Sequence, residues 1–373
     1  MIAFVAAIAL VQSPLSDRIE ARLTELHKVG SFPGMTAAWT LADGRTESVA
    51  IGVSDKESGR KMQSGDRMLA GSIGKMYFAA AIMRLVEAGR FDLDRKAAYY
   101  LGDQAWFKRI PNASTVTIKQ LLNHTSGVPE HVESPEFVSA VKKSPDKTWT
   151  PAELLSFVLD KKPLFSPGTD WAYADTNYIL ASAAAETVAK RPLYQVIQQD
   201  ILKPLGLSQT SPSTSPRLPG LVQGYSMPNS PFGFAGPVLK DGVYFAFNPQ
   251  MEWAGGGFVS TSADLSRWAK ALYEGKVVTR ASVQEMVDAV PAKTGRGDKY
   301  GIGTQVRTSD FGPSYGHGGW FPGYLSEVEY FPDFKISVAV QFNTDDMRAI
   351  RGRPRKFTLE LARLVSADIL GRR

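Results

Sequence analysis

The sequence predicts an α+β fold, an antiparallel sheet flanked by N- and C-terminal helices and interrupted by a large, mostly helical insertion. Three observations predict it. Strand-like runs gather near both ends of the chain, and strands so placed must pair with each other to hide their edges. Between them, over roughly 190 residues, apolar side chains recur at helical rather than strand spacing. Amphipathic helical patterns also open and close the chain. The boundaries expected are 14–65 and 250–373 for the sheet domain and 66–249 for the insertion, with residues 1–13 as a signal peptide.

The apolar run at residues 2–11 (IAFVAAIALV) is too short for the ~20 residues of a membrane span. It has the character of a secretory h-region, so the protein is expected to be exported, periplasmic or secreted. Ser16 is expected to cap a helix carrying Ile19, Leu23 and Leu26 on one face and ending at Gly30. Met35 to Leu41 and Glu47 to Ile51 alternate as strands around Asp43-Gly44, a hairpin signal. Helical patterns then cover Met76 to Glu87, Ile118 to Leu122, Pro151 to Asp160, Asn177 to Ala189, Leu193 to Ile201 and Ala263 to Glu274. Residues 208–250, rich in Ser, Pro, Gly and Asn, read as long loops over a cleft between insertion and sheet. Strands are expected at Tyr300 to Arg307, Ser314 to Gly318, Tyr324 to Phe331 and Lys335 to Phe342. Phe357, Leu361, Leu364 and Val365 form the apolar stripe of a closing helix.

Composition bounds the chemistry. The 373 residues are 43% hydrophobic and 21% charged, which excludes disordered, collagen-like and disulfide-scaffold classes. There is no cysteine, hence no thiolate nucleophile and no cysteine metal site. The four histidines (His27, His124, His131, His317) include no i, i+4 pair, so neither a metal nor another cofactor is expected. Residues 348–373 carry eight basic and two acidic side chains, which accounts for the whole formal charge of +6. Arg348, Arg351, Arg353, Arg355 and Lys356 are candidates for peripheral contact with anionic lipid, but the near-neutral body argues against nucleic acid. The partner expected is a small-molecule or peptide substrate, with no obligate protein partner.

Ser-x-x-Lys occurs four times, at Ser58/Lys61, Ser72/Lys75, Ser139/Lys142 and Ser144/Lys147. Only Ser72 follows a glycine and opens a helix apolar all round, from Met76 to Val86. Such a helix is buried, so hydroxyl and ammonium lie on one face at the floor of a partly dry site. The helix terminus favours the alkoxide. Desolvation is expected to depress the lysine pKa and make Lys75 a base near neutral pH. A capping serine with a snorkelling lysine accounts equally well for the isolated motif. Tyr173-Ala174-Asp175 follows a Pro/Gly turn; a tyrosine beside a lysine can relay a proton. In Tyr315-Gly316-His317-Gly318-Gly319-Trp320, glycines around a histidine permit close approach of a ligand, and a strand N–H aimed into the cleft suits an oxyanion hole. Lys293-Thr294-Gly295 and Arg296-Gly297-Asp298 match familiar strings but lie in a polar stretch without strand alternation.

The order Ser-x-x-Lys, then Tyr-x-Asp about 100 residues on, then His-x-Gly before Pro-Gly-Tyr, resembles the serine β-lactamase and penicillin-binding-protein superfamily, in its class C and D,D-carboxypeptidase branch. LLNHTSG at 121–127, PLGL at 204–207, AGGGFVSTSADL at 254–265 and YGIG at 300–303 add to the likeness. The resemblance implies Ser72 as acylated nucleophile, Lys75 as its base and Tyr173 as proton relay. It implies an oxyanion hole from the Ser72 and Trp320 N–H groups, and a substrate wall including Asp175, His317, Gly318 and Gly319. His317 stands where that family's third-motif lysine is usual. Asp175 replaces the usual asparagine, and Gly318 the usual hydroxyl residue, which favours an esterase, amidase or D-peptidase over a β-lactamase. Two other readings compete. Ala70-Gly71-Ser72-Ile73-Gly74 approaches the nucleophile elbow of an α/β-hydrolase, with Ser72, Asp175 and His317 in that family's order. A non-catalytic penicillin-binding-like scaffold is the third reading.

Overall fold

A computed structural model of the chain describes residues 13–295 and 297–371. The apolar run at residues 2–11 lies outside the described residues. Helix α1 (Pro14–Val29) is capped by Ser13 rather than Ser16: Ser13 Oγ accepts from the Ser16 N–H at 3.2 Å, and Pro14 opens the first turn. Ser16 instead donates to Glu47 at 2.7 Å, tying the helix to the first hairpin. That hairpin, β1 (Gly34–Thr40) and β2 (Thr46–Gly52), turns at Asp43-Gly44 with Gly44 at φ +91°.

The insertion begins with β3 (Met68–Leu69), which pairs with β4 (Phe258–Ser260) in a small separate sheet. Its central helices are α2 (Gly74–Glu87) and α3 (Asp175–Ala189), packed against each other in one apolar core. Helices at Pro135–Lys143 and Arg280–Val287 were not legible in the sequence. The segment 208–250 is mostly irregular but forms short paired strands such as Leu239–Lys240 with Tyr244–Phe245.

Helix α4 (Ser262–Tyr273) leads to the C-terminal strands β5 (Val290–Pro291), β6 (Lys299–Tyr300), β7 (Gln305–Ser309), β8 (Gly312–Phe321), β9 (Tyr324–Phe331) and β10 (Ile336–Phe342). The expected strand Tyr300 to Arg307 is two strands, because Gly303 adopts φ +64° in a turn closed by Gly301 N–H to Thr304 O at 2.8 Å. The eight-stranded antiparallel sheet runs β5-β6-β7-β8-β9-β10-β1-β2, with Met35 opposite Phe342 where the two ends of the chain meet.

Strands β1, β9 and β10 are buried along their whole length, so both faces of the sheet are covered. Leu15, Ile19 and Leu23 of α1 and Phe357, Leu361 and Val365 of the closing helix α5 (Arg355–Gly371) cover one face. On the other, α4 lies on β1 through Thr36–Ser262 and Thr40–Ser266 hydroxyl pairs at 2.7 and 2.8 Å. No described helix is long and apolar enough to cross a membrane.

Candidate active site

Ser72 sits in a 3-10 turn (Gly71–Ile73) between β3 and α2. Gly71 has φ +53°, and a Cβ there would lie 2.6 Å from the Trp320 carbonyl oxygen and 2.7 Å from its nitrogen. Only glycine lets the turn press against the end of β8. A Cβ on Gly74 would strike the Gly256 carbonyl at 1.9 Å, so the first turn of α2 rests on the Gly255-Gly256 backbone. Ser72 is half-buried and Lys75 wholly buried.

The Lys75 ammonium donates to Ser72 Oγ at 3.1 Å, to Asp175 Oδ1 at 2.5 Å and to the Gly255 carbonyl. All three of its protons are used. The expected depression of its pKa is therefore overturned: burial pulls the value down, but the Asp175 carboxylate and Tyr173 outweigh burial and hold it above the ordinary lysine value. Lys75 rests as an ammonium in an ion pair. Burial in turn pushes the Asp175 carboxyl up, against the pull of Lys75.

Asp175 is the first residue of α3, where the helix terminus favours a carboxylate. Its N–H donates to Glu130 Oε2. Glu130 Oε1 accepts from the His131 and Val132 N–H groups at 2.7 and 3.2 Å. Burial alone would raise Glu130, but His131 and these donors hold it at about 2. The Tyr173 ring stands 4.7 Å from Lys75 Nζ and 4.4 Å from the His124 ring. Its hydroxyl is buried with no hydrogen bond among the described residues, and burial pushes its pKa up to about 12. His124, at φ +64°, accepts the Ala174 N–H at Nδ1, 3.2 Å away, and so supports the segment that carries Tyr173.

On β8, His317 is buried between Tyr300, whose hydroxyl is 2.8 Å from Nε2, and the Gly318 carbonyl, 2.6 Å from Nδ1. This pairing assigns the proton to Nδ1. Burial and the Lys75 charge push its pKa down to about 3, so it brings no positive charge to the third-motif position. The glycines around it also serve packing: a Cβ on Gly316 would meet the Val328 carbonyl at 1.9 Å, and one on Gly319 the Ala70 carbonyl at 2.0 Å. Gly318 N–H donates to the Gln305 side chain at 3.0 Å. By strand alternation the Trp320 N–H points to the same edge, beyond the last β7 pairing of Gln305 with Gly316. It therefore faces the Ser72 turn.

Two cavities share Ser72, Tyr173 and Trp320. One, of about 240 Å³, extends past His317, Gly318 and Gly319 to Gln305 and Arg353. The other, of about 400 Å³, extends past Asp175 to Glu130, Glu252 and Phe232. A larger cavity of about 1020 Å³ around Phe107 and Asn112 holds none of these residues. Among the described residues no group of three or more acidic or histidine side chains is placed to hold a metal ion. The α/β-hydrolase geometry is absent: His317 is bonded to Tyr300 and Gly318, and Lys75 lies between Ser72 and Asp175. Lys293 pairs with Asp170 at 2.6 Å on the surface, outside both cavities at Ser72. Glu130, Glu252, His124 and Tyr300 are site residues that the sequence reasoning missed.

Penicillin-binding protein 4 of Amycolatopsis lactamdurans is 26% identical over 355 residues, covering 90% of this chain and 88% of that protein. Bacillus subtilis PbpX is 28% identical over 255 residues, and this chain spans 56% of its length. Among solved structures, a D-stereospecific amidohydrolase from Streptomyces sp. superposes with a TM-score of 0.77 at 26% identity, covering 89% of this chain and 96% of that one. The model of the beta-lactamase family matches residues 19–362, and with the Ser72–Lys75 pair on its buried helix this shows that the chain belongs to the beta-lactamase family.

Proposed function

We propose that the protein is a serine hydrolase that opens an ester, amide or D-peptide bond through an acyl-enzyme on Ser72. The observation that carries this reading is the line Ser72 Oγ–Lys75 Nζ–Asp175 Oδ1, with steps of 3.1 and 2.5 Å. Lys75 rests protonated, so the serine proton needs a vacancy. A proton passing from Lys75 to Asp175 creates one without changing the charge of the pair, and burial, which raises the Asp175 pKa, acts in the direction of that transfer. The neutral amine then takes the Ser72 proton as Oγ bonds to the substrate carbonyl carbon. The oxyanion is met by the N–H groups of Ser72 and Trp320. Tyr173 donates its proton to the departing oxygen or nitrogen and recovers one from Lys75; deacylation by water reverses these transfers.

The likeness to a D-stereospecific amidohydrolase supports an amide or peptide over a β-lactam as substrate, and the glycine at 318 supports it further. The apolar run at residues 2–11 supports export, which the mass of the mature N-terminus recovered from culture medium or periplasm tests. For the hydrolase reading, intact mass is measured after exposure to a small fluorophosphonate, for wild type and Ser72→Ala. One adduct on Ser72, lost in the variant, is expected. Folded wild-type protein without an adduct would overturn the reading in favour of a non-catalytic scaffold.

A further inference from the structure

The 400 Å³ cavity beside Ser72 has an unequal charge balance. Its apolar wall includes Phe232, Met251 and Phe321, each less than 5% exposed. Into this wall are set the carboxyl groups of Glu130, Asp175 and Glu252, with exposed Glu133 at the rim. Two of the buried three are accounted for. Asp175 neutralises Lys75, and Glu130 is saturated by backbone and side-chain donors on α3 and the 131–132 segment.

Glu252 is different. It is 6% exposed, lies on the segment that supplies Gly255 to Lys75, and accepts one hydrogen bond, from the Gly257 N–H to Oε2 at 2.7 Å. Its Oε1 has no hydrogen bond, and no cation stands within ion-pair distance of it, among the described residues. A buried carboxyl group with one hydrogen bond and no counter-charge is costly, and the chain retains it in the wall of the cavity that holds Ser72. Burial pushes its pKa up to about 8, so on its own it is mainly the neutral acid at pH 7, and a cation beside it favours the carboxylate. A cation entering the cavity supplies that counter-charge.

We propose that Glu252 binds the ammonium group of the substrate, so that the cavity selects amine-bearing esters or amides with an apolar body. The inference rests on the serine-hydrolase reading of Ser72 and names the substrate class for it. The ammonium donates to Glu252 Oε1, the apolar body lies against Phe232 and Met251, and Glu133 at the rim draws the cation in.

Calorimetry with 2-phenylethylamine and with 2-phenylethanol tests the inference, since neither probe has a bond to hydrolyse. At about pH 8, where Glu252 titrates, the amine is expected to bind at least about tenfold more tightly, the factor of a charge-assisted hydrogen bond. Glu252→Gln keeps an acceptor for Gly257 and is expected to remove most of that preference, with Glu252→Asp intermediate. Equal affinities in wild type, or an amine preference that survives in Glu252→Gln, overturn the inference. If Glu252→Gln does not fold, the wild-type pair and Glu252→Asp decide. An amine preference in a protein whose Ser72 takes no fluorophosphonate refutes the hydrolase reading alone; a labelled Ser72 without amine preference refutes this inference alone.

Discussion

Replacing Asp175 by asparagine separates the two ways in which Lys75 could become a base. In the wild type the Lys75–Asp175 pair holds one proton beyond its neutral-amine, anionic-carboxylate state, and moving that proton between the two leaves the net charge unchanged. The rate of Ser72 labelling by a fluorophosphonate is then flat across neutral pH, with an acid limb where Asp175 itself takes a proton. In Asp175→Asn that internal acceptor is gone, and the amine appears only when Lys75 loses its proton to solvent. Two unit charges with centres about 4 Å apart attract by about 4 kcal/mol at an effective dielectric of 20, or about three pK units. Losing that attraction leaves burial unopposed, so Lys75 falls to the ordinary lysine value of about 10.4 or below it. The variant's labelling rate should rise about tenfold per pH unit below the lowered Lys75 value. At pH 7 it should stand below its alkaline plateau by up to roughly a thousandfold. The assay is stopped-flow or quenched labelling at fixed reagent, read by intact mass. A flat profile in Asp175→Asn, parallel to the wild type, would refute the role of Asp175 as proton acceptor.

Other perturbations have outcomes set by the same geometry. Tyr173→Phe keeps the ring beside Lys75 but removes the proton that reaches the leaving group, so turnover of an unactivated amide should fall by about 10² to 10⁴, while labelling by fluorophosphonate falls far less. Gly71→Ala places a Cβ on a φ +53° residue 2.6 Å from the Trp320 carbonyl; a loss of about 1–3 kcal/mol in urea unfolding and a displaced oxyanion hole are expected together. Glu329 is fully buried between Arg307 at 3.4 Å, Arg355 at 3.0 Å and the Ser314 hydroxyl at 2.9 Å. Burial alone would raise its pKa, but the two guanidinium groups outweigh burial and lower it. Its contribution is therefore present above the unfolded value of about 4.3 and lost as pH falls through the folded one. Glu329→Ala should cost about 3–5 kcal/mol by leaving Arg307 without one of its two buried partners. His317, pushed down to about 3, should show imidazole signals that do not move between pH 5 and 8. Because the unfolded chain takes up that proton first, near pH 6.5, this histidine lowers stability as pH falls from there toward 3.

The sheet was legible where local signals and burial agree. The strand Tyr324–Phe331 and the hairpin at Asp43-Gly44 stand where the strand-like run and the turn residues predict, since a β-rich run and a φ +91° glycine are properties of a few adjacent residues. Ser16 was misread as a cap because a serine before an apolar pattern is ambiguous by one turn, and Pro14 resolves it. Ser72 and Lys75 were legible as a pair because they stand three residues apart at the start of an apolar helix, whereas Tyr173 was marked only by the string Tyr173-Ala174-Asp175 after a Pro/Gly turn. The charge on Lys75 was not legible: burial, which the sequence reports, lowers a lysine pKa, whereas Asp175, 100 residues away, reverses the sign. Glu252 left a fainter trace. It precedes the run Gly255-Gly256-Gly257, in which Gly255 packs on Asp175 and Gly256 on the Ser72 turn, a Cβ on Gly256 lying only 2.5 Å from the Gly71 carbonyl. A carboxylate beside such a run is a signal that it faces the same site.

The departures from the family pattern act together through charge. A neutral histidine in place of the third-motif lysine removes one positive charge, and Asp175 in place of asparagine adds one negative charge, so the centre is two units more negative than the pattern it resembles. At about 8 Å and an effective dielectric of 20, each unit is worth about 2 kcal/mol toward a charged ligand. Two units acting on a carboxylate amount to about 4 kcal/mol, or roughly a thousandfold. Acylation of Ser72 by benzylpenicillin should therefore be slower, relative to a neutral ester of the same size, by about that factor, and faster with a cationic ester than with either. High salt should narrow the gap only slightly, because Lys75, Asp175 and His317 are sheltered from solvent ions. A penicilloyl-enzyme forming as fast as the neutral acyl-enzyme would show that the anion is met by a cation such as Arg353, on the rim of the 240 Å³ cavity, and that the charge of the centre does not govern selectivity.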